Sequence, residues 1–195
     1  MNKLKKQLLF IHSAGSQKSG QGSSGLAAFI KSSLGEEYHV LCPRMPEPEN
    51  PQCTSWQEQL KEEFSLIKND VMLIGHSLGG SVLLKFLCEE EIDITIAGLF
   101  LIAAPFWGSD DNWQNDEFTL PEGFPSTLPS INNLVLYHSK DDPIVPFTHM
   151  EHYKKHFSHA HARVLEGDDH YFHEGLPRLI ADVQKSPSKN DQEGF

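Results

Sequence analysis

The chain has 195 residues, enough to bury one core and little more. Its 38% hydrophobic and 22% charged residues read as a soluble globular domain. A formal charge of −11 argues against the clustered Lys and Arg of a phosphate-binding surface, so neither a nucleic-acid partner nor an anionic membrane is expected.

Cys42, Cys53 and Cys88 are an odd set without CxxC spacing, so neither a disulfide framework nor a zinc knuckle is expected, and a reducing compartment fits. The basic stretch 1–9 is too short in apolar residues for a signal peptide, and no run reaches membrane-span length. A cytoplasmic protein is expected, with one domain over 1–185 and a polar tail at 186–195.

Residues 7–12 (QLLFIH) form a short apolar run between turn residues and predict a buried strand. The Gly/Ser-rich stretch 13–25 predicts a loop. Residues 26–34 have helical spacing and stop at Gly35, a C-cap residue. A second strand is expected at 38–42. Four prolines in 43–51 exclude helix and central strand. Ser55 with Glu58 matches a capping box, and Trp56, Leu60, Phe64 and Ile67 space for one buried helical face.

A third strand is expected at 71–74, a helix after Ser77 running to about Glu90, and a buried fourth strand at 94–102. Segment 103–132 mixes Pro, Gly, Asp and Asn with Phe106, Trp107, Trp113, Phe118 and Phe124, which reads as a lid or pocket wall. The glycines of 20–25 mark a second stretch that could move. A fifth strand at 134–138, a helix at 149–157, a sixth strand at 162–165 and a helix at 174–183, interrupted early by Pro177, complete the chain. Six strands alternating with helices predict an α/β fold: a doubly wound parallel sheet, right-handed crossovers, and helices on both faces.

The chemistry starts at Gly75-His76-Ser77-Leu78-Gly79, which fits G-x-S-x-G. Such a turn lifts a serine hydroxyl clear of the sheet at a helix N-terminus, where the Leu78 N–H can donate to an oxyanion. The bare pattern turns up by chance in roughly one chain in fifteen of this length, so its context decides. The fifth strand ends in Asp141-Asp142-Pro143, and the sixth in Gly167-Asp168-Asp169-His170. An acid and a histidine thus follow the serine at two further strand ends, where parallel sheets keep their sites, and in the hydrolase order.

Asp142, four residues before Pro146, is expected to orient His170, and His170 to serve as base to Ser77. Turn-capping is the alternative role for Asp141 and Asp142. His173 is the rival base but is expected to start the last helix. His76 reads as structural. His149, His152 and His156 share a helical face; without HExxH they read as an exposed surface rather than a zinc site, and neither metal nor cofactor is expected. The second oxyanion donor is expected on the loop after the first strand, from Ala14 or Ser13, with Ala14 preferred. Phe106, Trp107 and Trp113 are candidate pocket residues, although core packing serves equally for each aromatic.

The chain resembles the small single-domain α/β-hydrolases typified by retinoblastoma-binding protein nine and its bacterial YdeN-like relatives. The resemblance rests on Pro43-Arg44-Met45-Pro46, Trp56, Gly75-His76-Ser77, Asp141-Asp142-Pro143 and residues 167–170. It implies a strand order of 2-1-3-4-5-6, no separate cap domain, and a serine hydrolase with the triad Ser77, Asp142 and His170. The oxyanion loop His12-Ser13-Ala14-Gly15 is less glycine-rich than in relatives. An L-x-C-x-E motif is missing, since Phe86 stands where its leucine would be, so no retinoblastoma-type partner is implied. The expected activity is cleavage of a small-molecule acyl ester. A peptidase on the same triad, with acids near residues 109–116 holding a substrate amine, and a non-catalytic binding module are the other readings.

Overall fold

The computed structural model describes residues 5–167 and 169–186. In chain order these form β1 (Lys6–Ile11), α1 (Ser24–Leu34), β2 (Tyr38–Leu41), α2 (Cys53–Leu66), β3 (Val71–His76), α3 (Leu78–Glu89), β4 (Ile96–Ile102), β5 (Leu134–Ser139), α4 (Thr148–His156), β6 (His161–Leu165) and α5 (Pro177–Lys185). The six strands make one sheet in the order β2-β1-β3-β4-β5-β6, and each described pairing is parallel.

Alternation along the strands supplies both faces of the sheet. Leu8, Phe10, Met72, Ile74, Phe100, Ile102, Val135 and Tyr137 pack with α1 and α5. Leu9, Ile11, Leu73, Leu99, Leu101 and Leu136 pack with α2, α3 and α4. Each large apolar side chain buried in this way contributes roughly 1.5–3 kcal/mol.

Helix ends depart from expectation in two places. α2 begins at Cys53, so Ser55 and Glu58 lie inside the helix and form no capping box. Instead the Cys53 N–H is met by Glu117 Oε2, from the aromatic segment, at 3.4 Å. Pro177 does not interrupt the last helix but occupies its first turn, where a missing N–H costs nothing. His173 therefore lies in the turn before the helix. Gly35 ends α1 as expected, at φ 67°.

Trp56 is fully buried and donates its Nε1–H to the Pro46 carbonyl at 2.8 Å, fastening the proline-rich stretch to α2. That stretch in turn holds the loop after β1: Gly15 N–H donates to Pro48 O at 2.6 Å and Met45 N–H to Gln17 Oε1 at 3.0 Å. Ser186, expected to begin a loose tail, is 2% exposed and accepts from Asn133 Nδ2 at 2.7 Å. The rest of that tail, 187–195, lies outside the described residues, as does Asp168. Among the described residues no helix is long and apolar enough to cross a membrane.

Candidate active site

Ser77 stands between β3 and α3 with φ 53° and ψ −127°. A non-glycine residue rarely adopts this conformation, so the surroundings must hold it. Its N–H donates to Ile102 O at 2.8 Å, and its own carbonyl accepts from Gly80 N–H at 2.9 Å. Two glycines make the turn possible. A Cβ on Gly75 would lie 2.5 Å from Gly80 Cα, and one on Gly79 would strike the His12 carbonyl just after β1. The elbow therefore sits against the end of β1 with no room for side chains.

Two acidic oxygens are fully spoken for at the end of β5. Asp142 Oδ1 accepts the Ile144 and Val145 N–H groups at 2.8 and 2.9 Å. Asp142 Oδ2 accepts His170 Nδ1–H at 2.7 Å. Burial works to raise the Asp142 carboxyl, but the His170 bond and charge and the two backbone donors outweigh it and hold the group below the ordinary carboxylate range. Asp141, its neighbour, is turned away and accepts Gly167 N–H at 2.8 Å. His173 is exposed and pairs with Asp169 at 3.0 Å.

His76 is the other side of the elbow. It is fully buried, and its Nε2–H donates to the His170 carbonyl at 2.8 Å. Burial, reinforced by the positive potential of His170, pushes its imidazole down to about 3, so it is neutral at ordinary pH. The residue before Ser77 thus holds the backbone of the loop that carries His170.

Ser77 and His170 line one cavity of about 240 Å³. Ser13, Ala14 and Leu78 line it as well. The first N–H groups of a helix have no intrahelical partner, which leaves Leu78 N–H facing the elbow. On the β1 loop, Ser13 N–H donates to Ser23 Oγ at 3.0 Å and Gly15 N–H to Pro48 O, leaving the Ala14 N–H between them at the cavity wall. Ser23 is a hub that the sequence did not single out. Its buried hydroxyl also reaches His12 Nδ1 at 3.0 Å, and burial pushes His12 down to about 4.

The remaining walls are apolar: Pro51, Pro105, Trp107, Trp113, Phe118, Ile144 and Tyr171. Trp107 and Trp113, two of the candidate pocket residues, are among them. Phe106 is not: it turns to α4, stacks on His156 at 5.4 Å and meets Tyr153 edge-on at 5.0 Å. Of the α4 histidines, His156 is exposed and His152 half-buried, but His149 departs from the expected exposed face. His149 is fully buried, and its Nδ1 accepts the Phe106 N–H at 2.9 Å. Asp110, among the acids considered for a substrate amine, faces His149 Nε2 at 3.8 Å. Among the described residues, no Asp, Glu, Lys or Arg lines the cavity.

With this geometry in view, the likeness to known proteins is informative. The family described as serine hydrolase matches residues 28–175. The chain belongs to the serine hydrolase family. It is 26% identical to the putative hydrolase YdeN of Bacillus subtilis over 136 residues, 69% of this chain and 72% of that protein. The crystal structure of the B. subtilis ydeN product matches with a TM-score of 0.80 at 21% identity, covering 93% of this chain and 98% of that one. A meta-cleavage product hydrolase from Pseudomonas fluorescens matches with a TM-score of 0.71 at 13% identity, over 93% and 92% of the two chains. At such identities these structures show the shared fold. The protein is thus a small YdeN-like serine hydrolase with an α/β-hydrolase fold.

Proposed function

We propose that this serine hydrolase cleaves small, uncharged acyl esters through Ser77, His170 and Asp142 by way of an acyl-enzyme. The observation that carries the reading is the Asp142–His170 bond of 2.7 Å, set on the cavity that also exposes the strained Ser77. Asp142 is acceptor-only as a carboxylate, so it keeps the His170 proton on Nδ1 and leaves Nε2 free to accept one.

In the first half-reaction Ser77 Oγ attacks the ester carbonyl while its proton passes to His170 Nε2. The C–O bond to the alcohol breaks, and His170 returns the proton to the leaving oxygen. Water then repeats the sequence on the acyl-enzyme, its proton passing through His170 to Ser77 Oγ. Leu78 and Ala14 N–H groups are the proposed oxyanion donors; one such donor contributes about 10²–10³ in rate. Asp142 stabilises the imidazolium without taking its proton.

The apolar, uncharged lining favours a neutral acyl group. It also weighs against an aminopeptidase, which needs a carboxylate near the substrate amine. A matched series of p-nitrophenyl esters and aminoacyl amides tests this. Neutral esters are expected to be cleaved with saturation kinetics, and a free amine on the acyl group to lower kcat/KM. Faster cleavage of aminoacyl amides than of matched esters would overturn the reading.

A further inference from the structure

A second buried histidine faces the acid. His138, on β5, is 1% exposed. Its Nε2 lies 2.8 Å from the Val145 carbonyl and 3.5 Å from Asp142 Oδ2, the oxygen that takes His170 Nδ1–H. A carbonyl only accepts, so Nε2 carries the proton. Val145 is therefore held through both of the peptides it joins: its N–H by Asp142 Oδ1, its C=O by His138.

We propose that His138 is a positioning residue for the hydrolysis, holding Val145, whose N–H cradles Asp142, and setting its buried N–H dipole 3.5 Å from Asp142 Oδ2. The inference rests on the proposed triad. Two effects follow from the geometry. Without His138 the buried Val145 carbonyl loses its donor, and Val145, whose N–H fixes Asp142 Oδ1, loses the hold on its other side. Without the N–H dipole beside Oδ2, Asp142 becomes a stronger acceptor and holds the protonated form of His170 more tightly. The base is then freed only at higher pH.

The neighbouring titratable groups do not supply this effect. His170 and Asp142 face His138 directly; His149 faces it from α4, with Asp110 behind at 3.8 Å; His76 lies against His170 at 5.0 Å. Burial holds His76, His138 and His149 below the ordinary imidazole range, so all three are uncharged at neutral pH.

The test compares pH profiles of kcat/KM for wild type, His138→Phe and His138→Gln, using a p-nitrophenyl ester. His138→Phe is expected to lose about tenfold in kcat/KM, mostly in kcat, the scale of losing a partner that orients a site residue. Its acid limb is expected to move up by about half a pH unit as the dipole beside the carboxylate is lost. His138→Gln keeps an N–H donor and is expected to recover most of the rate. A rate loss with an unmoved acid limb, or equal loss in both variants, overturns the proposal. Should His138→Phe not fold, the ¹⁵N signal of His138 Nε2 gives the answer: it is expected to shift when Asp142→Asn replaces the carboxylate, and an unchanged signal overturns the proposal. Fluorophosphonate labelling of the wild type separates the two layers. A wild type that does not label refutes the triad itself; one that labels beside an unmoved acid limb refutes only the role of His138.

Discussion

Replacing Asp142 by Asn changes one atom and reverses the hydrogen-bond logic of the site. The Asn oxygen has two places to go. Left at the Oδ1 position it keeps both the Ile144 and Val145 N–H bonds, now 2.8 and 2.9 Å long. Flipped toward His170 it keeps one bond and sets its amide against two backbone donors. The first arrangement wins by at least one hydrogen bond, about 0.5–1.5 kcal/mol. The amide N–H then faces His170 Nδ1, 2.7 Å away in the wild type, and that nitrogen must become the acceptor. The ring proton moves to Nε2, and His170 no longer accepts a proton from Ser77. The expected loss is about 10⁴ in kcat, ~5.4 kcal/mol of transition-state stabilisation. Because the turn keeps its bonds, the thermal midpoint should stay close to wild type. Ester turnover and a melting curve on the same preparation measure both. A variant within tenfold of wild-type kcat refutes the reasoning, as does one that loses the fold. Asp141→Asn is the matched control, since Asp141 contacts Gly167 N–H rather than His170, and it is expected to remain within about threefold of wild type.

Two further substitutions test the scaffold. Gly79→Ala drives a methyl into the His12 carbonyl and to 2.6 Å from Ile11 O, backbone atoms of β1 and its loop that cannot yield; about 3 kcal/mol should be lost on chemical denaturation, and a loss under about 1 kcal/mol contradicts this. Asp182→Ala removes the acceptor for Arg163 Nε at 2.8 Å, Arg163 Nη2 at 3.0 Å and Tyr137 OH at 2.7 Å, which tie α5 to β5 and β6, and about 2–3 kcal/mol is expected at pH 7. Burial would raise the Asp182 carboxyl, but Arg163 and Tyr137 hold it below the ordinary range. That contribution is therefore present above the unfolded carboxylate value of about 3.9 and fades as pH falls through the lower folded value. The gap between wild type and variant should shrink below about pH 4, and a gap unchanged there contradicts the assignment.

Much of this site was legible because its parts sit at strand ends. The elbow needs glycine at 75 and 79 for steric reasons, and the acid and histidine need the carboxyl ends of β5 and β6, so chain order alone brought Ser77, Asp142 and His170 together. What the sequence left unread depended on side-chain direction or on partners far away in the chain. Phe106 and Trp107 are adjacent aromatics in an irregular segment, and nothing in their spacing says that one faces α4 and the other the cavity. Ser55 and Glu58 satisfied a local capping pattern, yet Glu117, more than sixty residues on, met the helix end instead. Ser23 and His138 carried no motif, because each acts through a tertiary hydrogen bond to a loop. Ile144 and Tyr171 flank Asp142 and His170 in sequence, but only the fold turns them to the cavity.

The central claim is that Ser77 is an activated nucleophile. Intact-mass and peptide analysis after treatment with a fluorophosphonate measures it directly. A single adduct is expected, located on Ser77, with none on a folded Ser77→Ala variant. No adduct on the wild type, or an equal adduct on the variant, would contradict the account.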